Sequence, residues 1–322
     1  MTAQQVFINS VGRLRSGWRV LIFIVVYIAL LFLLSTLVRV GYAVGLQIAP
    51  GRNLGGFTED LIFRLILLAS ALLAGYVCNR WLEGLPWRAL GLALHAHWSR
   101  DFLVGSLIGL TSLALAAAIA AAAGGLRFSV SPRTMLLQVA QTLLMSAVLF
   151  VLAALAEETL FRGYPLQTLT RAHLAWLAIL LTSVPFAAVH LQNPNVVKGF
   201  TFINTALAGV WLAVAYLRTR SLWLPLGVHW AWNWALGSLF GLPVSGITTI
   251  APKPLLHGTD LGPAWLTGGS YGIEGGLACT IALTISTIFI WRMRFVSATP
   301  AMNELTSKEN PVVTNPPISI TP

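Results

Sequence analysis

Apolar runs of about membrane-spanning length recur along the whole chain, and they limit the folds that it can adopt. A helix needs roughly 17 to 25 apolar residues to cross about 30 Å of hydrocarbon. The runs cover residues 20–38, 61–77, 102–123, 135–156, 174–189, 200–217, 222–239 and 275–290. Only 9% of the residues are charged, whereas about a quarter are charged in soluble domains. The chain is therefore predicted to lie in a bilayer.

The secondary structure of the runs follows from the chemistry of the bilayer. Backbone polar groups in hydrocarbon must be hydrogen-bonded within the spanning structure, so only helices and closed barrels can cross it. The runs lack the two-residue alternation that is typical of barrel strands. We therefore predict an all-α fold, a polytopic transmembrane helical bundle of about eight spans.

The spans and the segments between them suggest four regions. Residues 1–134 contain helices 1–3 and their connectors, and 135–240 form a core with helices 4–7 and the polar motifs. Residues 241–296 contain an outer loop and the last helix, and 297–322 are predicted to be a disordered cytoplasmic tail. The stretch 241–272 is rich in Gly, Pro and Thr, which predicts an irregular loop.

The basic residues at the ends of the runs predict the orientation. A cytoplasmic N-terminus places on the inner side Arg13, Arg15, Arg19, Arg80, Arg88, Arg100, Arg162, Arg171, Arg218, Arg220, Arg292 and Arg294. The outer side then receives Arg39, Arg52, Arg127, Arg133, Lys198 and Lys253. This bias fits the positive-inside rule for a multi-pass protein of the cytoplasmic (plasma or inner) membrane with both termini in the cytoplasm.

The net charge of +10 does not indicate a nucleic-acid-binding protein. The basic residues are scattered among short loops, and no basic face studded with aromatic residues is formed. We expect a lipid bilayer and a membrane-associated substrate as partners, and no nucleic acid. The two cysteines lack CxxC spacing, so a thiol metal site is not indicated.

The first polar motif places two carboxylates next to each other in apolar sequence. Glu158 and Arg162 are four residues apart, so they can pair along one face of a helix. Glu157 is rotated about 100° from Glu158. The two carboxylates need not do the same work, and Glu157 is the candidate general base in a cavity.

Two further motifs repeat the spacing of four residues. His229 and Asn233 project from the same helical face, where an imidazole and a carboxamide can both donate to one developing oxyanion. Phe186 and His190 place an aromatic wall one helical turn from an imidazole that could help to hold a water molecule. Ionisable groups within apolar spans mark functional sites by default.

Each motif also has a simpler interpretation. A Glu-Glu pair followed by Arg can form a surface ion pair at a helix end, and a single His near a membrane face is more often structural or interfacial. The occurrence of several such groups together makes these interpretations weaker. Trp230, Trp232 and Trp234 are more often packing or headgroup-anchoring residues than substrate-binding ones.

A linear arrangement of equal spans leaves the candidate residues at different depths. Glu157 and His229 lie toward the cytoplasmic side, whereas His190 lies near the outer end of its helix. We therefore expect the helix that bears Glu157 to continue past Gly163 toward Leu169, and the next helix to tilt or break near Pro185.

The order Glu-Glu-x-x-x-Arg, Phe-x-x-x-His and His-x-x-x-Asn resembles the signature of the CPBP family of intramembrane proteases. That family includes type 2 CAAX prenyl proteases, lysostaphin-resistance-type proteins, and bacteriocin-immunity and abortive-infection proteins. Phe161-Arg162-Gly163 and the stretch Ser221-Leu222-Trp223-Leu224-Pro225 agree with the resemblance, which covers roughly residues 136–239.

The resemblance implies a role for each motif residue. Glu157 and His190 would activate a water for attack on a peptide carbonyl, and His229 and Asn233 would stabilise the tetrahedral oxyanion. Glu158, Arg162 and Phe186 would support them. Family members are described both as metalloproteases and as glutamic peptidases, and Glu157, His190 and His229 could in principle hold a divalent metal such as zinc. No HExxH motif is present, so metal use stays open.

The sequence thus predicts a CAAX-protease-like intramembrane endopeptidase. Its substrate would be a membrane-associated protein or peptide, cleaved by a Glu/His-activated water with a His/Asn oxyanion hole. The alternative is a non-proteolytic immunity or scaffold protein, or a small-solute transporter, on the same helical framework.

Overall fold

The computed structural model describes residues 6–48, 54–196 and 199–306, and these residues are mostly helical. The α-helices are α1 (Ser16–Ile48), α2 (Gly56–Cys78), α3 (Trp98–Ala122), α4 (Leu136–Glu158), α5 (Tyr164–Arg171), α6 (Ala175–His190), α7 (Phe200–Thr219), α8 (Trp223–Trp234), α9 (Ala264–Thr267), α10 (Leu277–Arg292) and α11 (Pro300–Thr306). π-helical turns occupy Asn79–Glu83, Thr159–Gly163 and Ala235–Leu239, and 3-10 turns occupy Trp87–Leu90, Arg133–Met135, Gly269–Tyr271 and Ile273–Gly275.

The predicted fold class is confirmed, because each apolar run falls on a helix. In the described part of the chain, the stretches long and apolar enough to cross a membrane are Ser16–Gln47, Gly56–Glu83, Trp98–Ala122, Arg133–Arg171 and Phe200–Thr219. Helices α6 and α10 are apolar but shorter, and α8 is extended to Leu239 by a π-helical turn.

The helix that bears the first motif is much longer than its apolar run. Helix α4 passes through the π-helical turn Thr159–Gly163 into α5 without a break, so the helical stretch reaches Arg171. The expected continuation past Gly163 is therefore confirmed, and Glu157 lies inside the stretch rather than at its end. The expected break near Pro185 is wrong, since α6 runs through Pro185 to His190.

Helices α3 and α8 approach so closely that their backbones nearly touch. A Cβ atom added at Gly105 or Gly109 of α3 would overlap the backbone of Leu224 or Val228 in α8. On α8, Gly227 also permits the close approach, because a Cβ at Gly227 would overlap the backbone of α3. Small residues allow such close packing where lipid supplies no hydrophobic driving force between helices. This contact fixes the helix that carries the third motif.

The basic ends of several helices meet at one end of the bundle. Glu83 binds Arg19 at 3.2 Å and Arg171 at 2.8 Å, which ties α1 and α5 to the turn after α2. Arg100 and Arg218 donate hydrogen bonds to the backbone carbonyls that follow α10. These basic residues therefore share one end, as the predicted alternation of the spans requires.

The segment after α8 is more regular than its composition predicts. Strand β1 (Leu126–Val130) pairs antiparallel with β2 (Leu256–Asp260), with Leu126 opposite Asp260 and Val130 opposite Leu256. The expectation of an irregular loop is thus wrong for β2, because the hydrogen-bonding partner of this strand lies more than a hundred residues earlier in the chain.

The start of the predicted disordered tail is also ordered. Pro300–Thr306 forms α11, in which Met302 and Thr306 are buried. Residues 307–322 lie outside the described part of the chain. The prediction of a disordered tail is therefore wrong for residues 300–306, because two side chains of this helix are buried.

We expect Gly109→Ala to lower the thermal stability of the protein in detergent. Overpacking of a tightly packed interior typically destabilises by about 1 to 3 kcal/mol. Gly45→Ala is the matched control, because an added Cβ at this α1 position meets nothing within 4 Å, and alanine is favoured over glycine in a helix by up to about 1 kcal/mol. Equal melting temperatures for the two variants would contradict the close α3–α8 contact.

Candidate active site

The carboxylate of Glu158 joins the first and third motifs. Its Oε1 atom accepts a hydrogen bond from Arg162 Nη1 at 3.1 Å, as the i, i+4 spacing predicts. The same oxygen lies 2.9 Å from Nδ1 of His229. All three side chains are buried. Glu158 therefore connects α4 to α8 through a hydrogen-bonded charge.

The guanidinium of Arg162 extends this network to two more helices. Its Nη2 atom donates to the carbonyl of Gly209 in α7 at 3.2 Å. Its central carbon lies 4.5 Å from the centre of the Phe186 ring in α6, which is within cation–π range. Arg162 thus connects the π-helical turn after α4 with α6 and α7.

Glu157 has different surroundings from Glu158, as the rotation between them predicts. Its side chain is 30% exposed, and it lines a cavity of about 640 Å³. One carboxylate oxygen, Oε2, is buried without a hydrogen-bond partner among the described residues and lies 3.7 Å from Nε2 of His229. An acceptor in this position is available to a water molecule or substrate group.

The contact with Glu158 fixes which nitrogen of His229 carries a proton. A carboxylate only accepts hydrogen bonds, so Nδ1 of His229 must be the donor. Nε2 then donates only when the imidazole is doubly protonated. A cationic His229 would have a carboxylate beside each ring nitrogen, Glu158 at 2.9 Å and Glu157 at 3.7 Å, and a buried charge needs such partners.

Phe186 and His190 lie beside this network, at the end of α6. His190 Nδ1 lies 2.7 Å from the carbonyl oxygen of Phe186, which can only accept, so Nδ1 is the donor. The Phe186 ring centre is 4.6 Å from that of His190 and 6.1 Å from that of His229. Phe186 therefore forms the expected aromatic wall, and Nε2 of His190 is left for other partners.

Two neighbouring cavities bring the predicted residues together. The cavity of about 640 Å³ is lined by Glu157, His190 and Asn233, and a smaller chamber of about 40 Å³ is lined by His190, His229 and Asn233. His190 and Asn233 line both, so the difference in depth expected from equal spans does not separate the motifs. The long α4–α5 stretch places Glu157 at the depth of the other two helices.

The apolar part of the larger cavity lies toward α1 and α2. Its walls include Tyr27, Leu31, Phe63, Leu67 and Leu160. A cavity with an apolar body and a few convergent polar groups is typical of a ligand-binding site. The polar groups in its walls include the motif residues Glu157, His190 and Asn233, and also Asp60 and Arg64 of α2.

Sequence reasoning missed Glu274 and Ser245, which also line the small chamber. Both lie outside the polar motifs: Ser245 lies in the segment expected to be an irregular loop, and Glu274 lies in the turn before the last span. The signal that could have drawn attention to Glu274 is its isolation, as a carboxylate next to an apolar run. Trp232 donates from Nε1 to Glu274 at 3.0 Å, so this tryptophan is a polar contact of the site as well as a packing residue.

The candidate metal ligands do not form a metal-binding set. Within the described residues, no group of three or more His, Cys, Asp or Glu side chains is placed to hold a metal ion. Nδ1 of His229 faces Glu158 and Nδ1 of His190 faces the Phe186 carbonyl, so Nε2 is the nitrogen left on each ring. Catalytic zinc sites usually have three protein ligands, and the use of a metal by Glu157, His190 and His229 stays a prediction.

The fold and the site define a class: a helical membrane protein with ionisable groups of three helices clustered at a cavity between them. Residues 138–235 match the family model described as "Type II CAAX prenyl endopeptidase Rce1-like". The match contains all three motifs, so the predicted resemblance to this protease family is confirmed for that segment. Residues 138–235 are therefore similar to a family of proteases.

A curated relative adds to this match without adding a function. The chain is 39% identical over 95 residues to "Uncharacterized 24.3 kDa protein" from Escherichia coli, which is 29% of this chain and 42% of the relative. The chain thus covers less than half the length of that relative. No solved structure matches the chain.

We expect Arg162→Ala to destabilise the protein strongly. The substitution leaves the buried Glu158 with one fewer positive partner, and breaking a buried ion pair typically costs about 3 to 5 kcal/mol. Thermal unfolding in detergent measures the loss. Arg292→Ala is the control, because Arg292 is exposed at the end of α10, where a change within about 0.5 kcal/mol is usual. Similar unfolding temperatures for both variants would show that the Arg162 network does not hold the helices together.

Proposed function

We propose that this protein is an intramembrane endopeptidase that hydrolyses a peptide bond of a membrane-associated protein or peptide. The observation that carries the proposal is the unpartnered Oε2 of Glu157, which lies at a cavity shared with His190 and Asn233. A free carboxylate oxygen, an imidazole and a carboxamide around one space are the groups that water-mediated amide hydrolysis requires.

The first step is the attack of water on the peptide carbonyl. Glu157 accepts one proton of the water, and Nε2 of His190, as the acceptor of its neutral imidazole, orients the other. The water oxygen forms a bond with the carbonyl carbon, and the carbonyl electron pair moves to its oxygen. Positioned general bases of this kind typically contribute about 10²- to 10⁴-fold to a rate.

The second step depends on stabilisation of the tetrahedral oxyanion. Cationic His229 donates from Nε2, and Asn233 donates from its amide nitrogen. The C–N bond then breaks, and Glu157 returns its proton to the leaving amine, so the products are a carboxylic acid, which keeps the second proton of the water, and an amine. Glu158 holds His229 in the orientation that points Nε2 toward Glu157 rather than away from it.

The larger cavity supports a substrate with an apolar part. Its volume of about 640 Å³ is within the range of ligand pockets, roughly 300 to 1,000 Å³. Apolar residues of α1, α2 and the α4–α5 stretch form its walls, so an apolar segment or group of a membrane-bound chain would lie there. The bond to be cleaved would then lie at the polar end.

The decisive experiment is cleavage of a membrane-peptide library by the purified protein in detergent. We expect Glu157→Gln to reduce cleavage by at least about 10²-fold because the base is lost. We expect a similar loss in His229→Ala because an oxyanion donor is lost, which typically costs about 10²- to 10³-fold. Glu59→Gln is the matched control, since Glu59 lies on α2 and lines a separate cavity.

The outcomes separate the proposed enzyme from its alternatives. Cleavage by wild type and Glu59→Gln alone supports the protease, and full activity in Glu157→Gln removes the general-base assignment. If chelator abolishes cleavage, the reaction depends on a metal and the metal-free steps above are wrong. If the wild-type protein cleaves no peptide of the library and His229→Ala keeps the biological function, the scaffold, immunity or transport alternative is favoured.

We further propose that both termini lie in the cytoplasm, with the two-stranded sheet on the opposite side of the cytoplasmic membrane. The test uses single cysteines in a Cys78→Ala/Cys279→Ala background and a membrane-impermeant maleimide on intact cells. Lys253→Cys should be labelled directly, whereas Arg88→Cys should be labelled only after permeabilisation. Both positions are exposed, so the reverse pattern would invert the orientation.

A further inference from the structure

The small chamber beside the candidate active site has polar walls that the proposed steps do not use. Its volume of about 40 Å³ exceeds the roughly 10 to 15 Å³ that one water molecule needs. The chamber can therefore hold about two or three water molecules. Glu274 and Ser245 contribute polar atoms to its walls, together with His190 and Asn233. Polar groups and sufficient space are the two conditions for a site that holds water.

Glu274 is fixed by donors from two other parts of the fold. Trp232 of α8 donates to Oε1, and Ser245 donates to Oε2 from its backbone nitrogen and from its hydroxyl. Ser245 has a positive φ of 48°, an uncommon conformation for a residue with a side chain. The geometry of this loop therefore directs two donors at a single carboxylate oxygen.

The backbone around Glu274 is held as firmly as its side chain. Asn204 of α7 donates to the carbonyls of Glu274 and Gly276 at 2.9 Å and 2.8 Å, and Thr280 donates to Asn204 at 2.6 Å. Burial raises the pKa of Glu274, and the hydrogen bonds from Ser245 and Trp232 oppose that rise. The carboxyl group is thus placed at the chamber by contacts with three separate parts of the chain.

The free lone pairs in the chamber require a donor. Among the described residues, Oε1 of Glu274 accepts from Trp232 and has a second lone pair. In neutral His190, Nε2 is an acceptor because Nδ1 donates to the Phe186 carbonyl. Two acceptors cannot bind each other directly, but a water molecule can donate one hydrogen to each. His190, Asn233 and Ser245 line the chamber and the larger cavity as well.

We infer that the small chamber stores the hydrolytic water, and that Glu274 is a positioning residue that orders this water with His190. The inference rests on the proposed function. An apolar substrate in the larger cavity displaces water from it, so the attacking water must come from a place that the substrate does not fill. The chamber meets the larger cavity at His190, the residue that orients the water in the first step.

The test compares two changes to the chamber with matched controls. Glu274→Gln replaces a purely accepting group with one that presents an NH₂ group, and Ala208→Val fills the space from the wall that Ala208 lines. The controls are Asp260→Asn, a carboxylate that also accepts from a backbone nitrogen and a hydroxyl, and Ala206→Val, on the same helix as Ala208. Asp260 and Ala206 do not line this chamber.

We expect both chamber variants to lower kcat by about 10- to 100-fold with KM nearly unchanged, since small errors in the position of a reacting group have effects of this size. Both controls should keep the wild-type kcat, and all four variants should remain folded by thermal unfolding. Wild-type kcat in the chamber variants would overturn the inference. An equal loss of kcat in the chamber variants and the controls would overturn it too.

A second readout does not need peptidase activity. In histidine-selective ¹⁵N NMR spectra, assigned with His190→Gln, the His190 resonances should shift in Glu274→Gln and Ala208→Val and stay in place in the two controls. If no variant or wild type cleaves any peptide, the proposed function fails, and these shifts still decide whether the chamber positions His190. Unshifted His190 resonances in both chamber variants would overturn the inference.

Discussion

The contact of Glu158 with Arg162 and His229 is the interaction on which the rest of the site depends. One carboxylate oxygen accepts from Arg162 and from His229, and Arg162 continues to the Gly209 carbonyl. A buried carboxylate is strongly unfavourable without such partners. The requirement to pair this charge therefore holds α4, α7 and α8 in one arrangement, and the other motif residues take their places around it.

The two carboxylates of the first motif illustrate how neighbouring residues acquire different chemistry. Glu158 faces the neighbouring helices, where its Oε1 accepts from Arg162 and His229, whereas Glu157 faces the larger cavity. A rotation of about 100° along a helix is sufficient for this separation. The π-helical turn that follows them bears Arg162, and such turns frequently occur at functional sites.

The division of space around His190 completes this arrangement. On one side lies a large cavity with apolar walls, and on the other a chamber with room for only a few waters. A hydrolase in a membrane must bring an apolar substrate and water to the same atom. Two unequal cavities that meet at one imidazole satisfy both needs, because apolar groups occupy the larger space and polar walls retain water in the smaller one.

The sequence by itself determined the spans, the helical fold class and the local pairs. Apolar length decides whether a segment crosses a membrane, and the spacing of four residues decides that Glu158 meets Arg162 and that Phe186 meets His190. The motifs also led to the family, which the match over residues 138–235 confirmed. The roles assigned to the individual residues and the four regions of the chain stay predictions.

Only the tertiary structure decided which distant groups meet. The contact of His229 with Glu158 and the place of Glu274 at the chamber depend on the packing of helices far apart in sequence, and no local period encodes such distances. The pairing of β1 with β2 and the depth of Glu157 have the same origin. Helix contacts such as that of α3 with α8 are set by how closely backbones can approach, which is a property of the assembled bundle.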